Sequence, residues 1–132
     1  MNPRKLQTRQ GTRSEAVSRC RIAEEYLEVA ELAATEDGIA INVAVGVAVL
    51  AGIAAGDALC IVSIGERYAG KDHTAAADLL ARVDAILGGH LRDLVNFKPS
   101  SHYGDSLLNQ RDRTRALRAA AHLVDAARRR TL

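Results

Sequence analysis

From Gly38 to Gly56 the chain runs nineteen residues without a charged side chain, and no proline stands between Pro3 and Pro99. A segment of that length can cross a bilayer. Its composition argues for another use. It is mostly Ala, Gly and Val, with Asn42 inside it and Asp57 at its edge, and it lacks the long Leu, Ile or Phe series that drives insertion. A helix buried on all sides at the centre of a bundle explains the same residues, because small side chains let neighbouring helices approach closely. The expectation is an all-α fold with no membrane span.

The flanking segments carry the helical period of a bundle. Thr12 or Ser14 can cap a first helix that ends before Asp37-Gly38. Within it Ala16, Cys20, Ala23, Leu27, Ala30 and Ala34 recur at spacings of four and three, which makes one apolar stripe. The second helix should run from Ile39 to about Tyr68. After Ala69-Gly70-Lys71, Asp72 can cap a third helix bearing Ala76, Leu79, Leu80, Val83 and Leu87 up to Gly88-Gly89. A short helix over Leu91 to Phe97 follows, then a polar turn from Lys98 to Gly104, since the residue before Pro99 avoids the helical region. The last helix, from Arg111 to Arg129, sets Ala116, Ala120, Leu123 and Ala127 inward, and Arg111, Arg115, Arg118 and His122 share a second stripe. With 132 residues this is one domain. Residues 1–12 read as a flexible basic N-terminal lead and 13–132 as a single up-and-down bundle of four to five helices.

Charge is divided along the chain more sharply than the net +2 shows. Residues 1–21 carry six bases against Glu15, residues 111–132 carry seven arginines against two aspartates, and the middle holds thirteen acids and five bases. Basic ends suit phosphate, the acidic middle of a second copy, or simple solvation. Aromatic residues are 3% of the chain, with no Trp, so base-stacking platforms are not expected. Cys20 and Cys60 have neither a second cysteine nor a histidine at a metal-ligand spacing, which predicts two buried free thiols and no metal. The first twenty residues carry five Arg or Lys and no apolar run; this reads as no secretory signal and a cytoplasmic chain.

The complete phosphate-loop signature, Gly-x-x-x-x-Gly-Lys followed by Ser or Thr, is absent, since Gly65 to Lys71 is followed by Asp72, and so are His-Glu-x-x-His and Glu-x-x-His; no cofactor is expected. The turn from Lys98 to Tyr103 is the richest local chemistry, with an ammonium, two hydroxyls, an imidazole and a phenol within six residues.

Four stretches then carry a resemblance. Val47 to Ala58 lies in the buried second helix, Gly70-Lys71-Asp72-His73 opens the third, and Phe97-Lys98-Pro99-Ser100-Ser101-His102-Tyr103-Gly104 and Arg115-Ala116-Leu117-Arg118-Ala119-Ala120 follow. In order and character they resemble a bacterial stand-alone member of the HEPN superfamily (higher eukaryotes and prokaryotes nucleotide-binding), over about residues 14 to 130. The resemblance implies a helical bundle, a homodimer, binding of RNA or a nucleotide, and a partner nucleotidyltransferase or antitoxin in a toxin–antitoxin or defence system. Active relatives are metal-independent ribonucleases that carry an Arg, four to six residues, then His. Here His102 matches the histidine and Tyr103 the aromatic beside it. The family arginine is missing, and Lys98 is the nearest cation, three residues before His102 and without the two-pronged fork that grips phosphate. Asp57 matches an acidic position that orients the histidine in relatives, although a buried carboxylate satisfied by its neighbours fits the residue equally.

Three functions follow as expectations. The first is a module that binds nucleic acid or a nucleotide through Lys98, Ser101, His102, Tyr103, Arg111, Arg115 and Arg118, favoured because the family arginine is lost. The second is a metal-independent ribonuclease with His102 as base, Lys98 as electrostatic partner and Asp57 in support. The third is a protein-interaction bundle with no nucleic-acid role.

Overall fold

The computed structural model describes residues 6–35, 38–99, 102 and 107–132. Its described elements are a two-stranded ribbon, β1 (Thr8–Gln10) with β2 (Glu66–Tyr68), and five helices: α1 (Arg13–Ala33), α2 (Ile39–Ile64), α3 (His73–Val83), α4 (Ala85–Asn96) and α5 (Gln110–Thr131). It is an all-α bundle in which α2 packs against each of the other four helices.

The uncharged run is the reason α2 takes the centre. Ala44, Val45, Ala48, Val49, Ala51, Ala54, Ala55, Ala58 and Leu59 are all fully buried, so their apolar surface is removed from water on several sides at about 25 cal/mol per Å². By length and hydropathy Ala40–Ile64 would also suit a bilayer, but 72% of its apolar window is covered by the other helices. A side chain at Gly52 would collide with Leu94, and one at Gly56 would sit 3.0 Å from Leu91; these glycines let α4 lie against α2. Asn42 is explained as well: its Oδ1 accepts from the backbone N–H of Leu108 at 2.9 Å, which fastens the segment before α5 to α2.

Side-chain caps open four of the five described helices. Thr12 accepts from the N–H of Glu15 at the start of α1, Asp72 from Thr74 at α3, and Asp84 from Leu87 at α4. Asn109 and Asp112 form a reciprocal capping box at α5. The inward stripes are those the periodicity predicts: Ala16, Cys20, Ala23 and Ala30 on α1, and Ala116, Ala120, Leu123 and Ala127 on α5.

The structure departs from the sequence reading in four places, the smallest being that Lys98, Pro99 and His102, expected in a turn, carry helical backbone. Where composition predicts a flexible lead over 1–12, residues 8–10 pair antiparallel with 66–68, and Leu6 packs on the core. Backbone hydrogen bonding supplies what the apolar content lacks, with Gly11 N–H to Gly65 O at 3.0 Å and Ala69 N–H to Gln7 O at 2.9 Å closing the ribbon's ends. The second helix stops at Ile64, short of Tyr68, because Gly65 takes a left-handed conformation (φ 73°) that terminates it. Gly88 and Gly89 lie inside α4 instead of ending α3. Asp84 closes α3 and caps α4 together, and the bare Cα of Gly88 rests on Ala81, where no side chain fits.

The divided charge is partly answered within the chain. Arg128 of α5 meets Glu24 of α1 at 3.4 Å, and Arg130 meets Asp84 at 3.0 Å.

Candidate anion site

The ribbon brings two arginines together. Its register sets Arg9 directly opposite Arg67, and like charges in that relation repel. Helix α1 adds Arg19 from one side, and α2 contributes Asp57. The carboxylate takes a double contact from Arg19, whose Nε and Nη2 lie 3.2 and 3.1 Å from Asp57 Oδ2, and a third from Arg67 Nη1 at 3.3 Å. Two guanidiniums thus share one carboxylate, and Arg9 acts on it only at longer range.

These groups line a cavity of about 320 Å³ together with Tyr68 and His73. The Tyr68 hydroxyl accepts from the N–H of Asp72 at 3.2 Å, which holds the ring at the start of α3. The Nε–H of Arg67 is buried and has no hydrogen-bond partner among the described residues. A buried donor of that kind costs about 1–3 kcal/mol until something accepts from it. Burial raises the pKa of Asp57 against the opposing pull of Arg19, Arg67 and Arg9. Burial also lowers that of His73, with Lys98 and His102 adding to the effect and Asp72 opposing it. At neutral pH the cavity therefore holds an excess of positive charge, and it gains more on acidification.

The residues predicted from sequence fall into three groups. Asp57 is in the cavity, where its partners are Arg19 and Arg67. Lys98 and His102 do not line the cavity but stand within electrostatic range of His73, which does. His102 is exposed, and its Nε2 lies 3.2 Å from the carbonyl oxygen of Gly46 in α2. Ser101 and Tyr103 lie outside the described residues. Arg111, Arg115 and Arg118 are exposed on α5, and none of them lines the cavity; Arg115 sits over the ring of Phe97, 5.9 Å from its centroid. On the same helix His122 stacks on His90 of α4 with centroids 4.8 Å apart.

Arg9, Arg19, Arg67 and Tyr68 are the residues that sequence reasoning missed. Arg9 lies in the segment read as a lead, and Arg67 and Tyr68 in the segment read as the end of a helix. One local signal was present, the pair of glycines at 65 and 70 that brackets Glu66 to Ala69 and marks a break from helix.

No group of three or more His, Cys, Asp or Glu side chains is placed to hold a metal ion among the described residues. Cys20 and Cys60 are buried and unpaired, and burial, with Asp57 nearby, pushes the Cys60 thiol up to about 12. No protein-family model matches this chain, and no curated protein sequence matches it.

Proposed function

We propose that this protein is a HEPN-like helical bundle that binds the phosphate of a nucleotide or of RNA, with the Arg9, Arg19 and Arg67 cavity as the phosphate site. The observation that carries this reading is the cross-strand pair Arg9 and Arg67, placed side by side with a third guanidinium and, among the described residues that line the cavity, Asp57 alone to offset them. Planar guanidiniums match phosphate oxygens in two-pronged geometry, and an anion oxygen would accept from the otherwise unpartnered Arg67 Nε–H. The resemblance in order and character to HEPN proteins supports the same ligand class, with a nucleotidyltransferase or antitoxin as protein partner and a reducing cytoplasm suited to two buried thiols.

One observation favours a ribonuclease as a second reading. Lys98 and His102 each stand within electrostatic range of His73, and two imidazoles can divide the proton transfers of metal-independent RNA cleavage. One takes the ribose 2′-hydroxyl proton as that oxygen attacks phosphorus. The other gives a proton to the departing 5′-oxygen, leaving a 2′,3′-cyclic phosphate, while Lys98 steadies the phosphoryl charge.

One experiment tests both. Purified protein is incubated with mixed-sequence single-stranded RNA in chelator, and retention and cleavage are read together for wild type, Arg67→Gln, His73→Ala and His102→Ala. The binding reading expects retention without cleavage, lost in Arg67→Gln. With three phosphate contacts, affinity for a single strand should fall about 18-fold between about 50 and 200 mM salt. Cleavage that disappears in either histidine variant would establish the ribonuclease instead. Neither retention nor cleavage would point to a protein partner alone.

A further inference from the structure

The charge of the arginine cavity sets the charge of what it holds. Among the described residues that line it, the guanidiniums of Arg9, Arg19 and Arg67 stand against the one carboxylate of Asp57. His73 lines it too, but burial lowers its pKa, so above neutrality it adds no charge. Two positive charges are left over. A phosphodiester within a nucleic-acid strand brings one negative charge, whereas a phosphomonoester, with a second pKa of about 6, brings almost two at pH 8. Only the monoester neutralises the cavity, and an unbalanced charge in a half-buried site is unfavourable.

Access points the same way. The Nε–H of Arg67 is buried and unpartnered among the described residues, so an oxygen that accepts from it must come down into the cavity. A diester would carry two ester arms down with it; a monoester carries one. That arm has room beside the cavity, where a depression of about 490 Å³ shares Tyr68, Ala69 and Gly70 with it. A monoester also offers three terminal oxygens where a diester offers two. Three guanidinium forks, of which Asp57 occupies only part of two, suit the larger number.

We infer that the cavity selects a terminal phosphomonoester, on a free mononucleotide or at the end of an RNA strand, over the phosphodiesters within a strand. This selectivity rests on the phosphate reading above and narrows its ligand.

Calorimetric titration of the full chain at pH 8 tests it with two matched pairs. One pair is adenosine 5′-monophosphate and its methyl ester. The other is a single-stranded RNA of about ten residues with a 5′-phosphate and the same RNA with a 5′-hydroxyl. The monoester should bind at least about tenfold more tightly than its counterpart, and a gap in only one pair tells which source the cavity accepts. Arg9 is exposed and acts on Asp57 only at longer range. Arg9→Gln leaves one surplus charge in place of two and should cut the preference at least about threefold, a change that a purely structural role for Arg9 would not produce. Arg67→Gln should abolish binding of the preferred ligand, with circular dichroism showing that both variants stay folded. Equal affinity within both pairs, lost in Arg67→Gln, would overturn the selectivity and leave the phosphate reading standing. A preference undiminished in Arg9→Gln would overturn it as well. Binding of none of the four ligands would remove the selectivity and the phosphate reading together.

Discussion

Replacing Asp57 by Asn should strengthen anion binding, although the carboxylate makes the best-defined polar contacts in the cavity. Asp57 Oδ2 occupies two of the three guanidiniums, at 3.1 Å from Arg19 and 3.3 Å from Arg67. An incoming phosphate must therefore share them with a fixed negative charge. At an effective dielectric of about 20, two unit charges about 6 Å apart repel by about 2.8 kcal/mol. The side chains of Arg19 and Arg67 are 27% and 22% exposed, so solvent screening removes about half, leaving about 1.4 kcal/mol, or about tenfold in affinity. Asparagine keeps the size and one acceptor oxygen for Arg19. Calorimetric titration with sulfate, whose charge does not change between pH 5 and 8, reads the effect without titration of the ligand. Wild type should bind more tightly as pH falls through that range. Burial raises the pKa of Asp57, so its negative charge is lost earlier on acidification than an ordinary carboxylate's, and His73 gains a positive one. Asp57→Asn should bind more tightly at pH 8 and show a flatter pH profile. Weaker sulfate binding in a folded Asp57→Asn protein would refute the argument, because Asp57 would then be holding the arginines in place for the anion and not competing with it.

The remaining expectations concern stability and reactivity. Gly52→Ala should destabilise the bundle by about 1–3 kcal/mol in urea titration, since its new methyl meets Leu94 at the α2–α4 contact; an unchanged midpoint would show that α4 can shift away. Asn109→Ala removes the reciprocal cap of α5 and should cost about 1 kcal/mol, seen as a lower thermal midpoint. Because its folded-state pKa lies below the ordinary value, His73 destabilises the fold once the unfolded chain begins to bind a proton there that the folded chain does not. Stability should fall as pH drops below about 6.5, and His73→Gln should lessen that fall. Cys60, with its thiol pushed up to about 12, should resist iodoacetamide at pH 8 in the folded protein and react promptly in denaturant, which mass spectrometry separates.

Much of the bundle was legible because its signals are local. The stripes of α1 and α5 follow from a period of 3.6, and the caps at Thr12 and Asp72 from a hydroxyl or carboxylate placed before an apolar repeat. The uncharged run from Gly38 to Gly56 could only be a membrane span or a core helix. Errors came where a tertiary partner decides. Gly88-Gly89 reads as a stop, yet packing of Gly88 against Ala81 keeps it inside a helix. Thr8-Arg9-Gln10 has almost nothing to bury and becomes a strand only because Glu66–Tyr68 offers its backbone. The cavity was the least legible part. Its arginines lie at 9, 19 and 67, with Asp57 apart from all three, and no spacing in the sequence links them. Asp57 was singled out as a buried acid next to His102; the contacts that hold it come from Arg19 and Arg67.

The most direct test of the account is to watch one atom. The Nε–H of Arg67 is buried without a partner among the described residues and gives a resolvable nitrogen-15 resonance, assigned by its disappearance in Arg67→Lys. On titration with inorganic phosphate that signal should shift downfield and saturate below about 10 mM, an affinity of about 3 kcal/mol or better, and Arg19→Gln should weaken the response at least about tenfold. A resonance that stays in place, or drifts linearly without saturating, would contradict the claim that this cavity is where the protein holds phosphate.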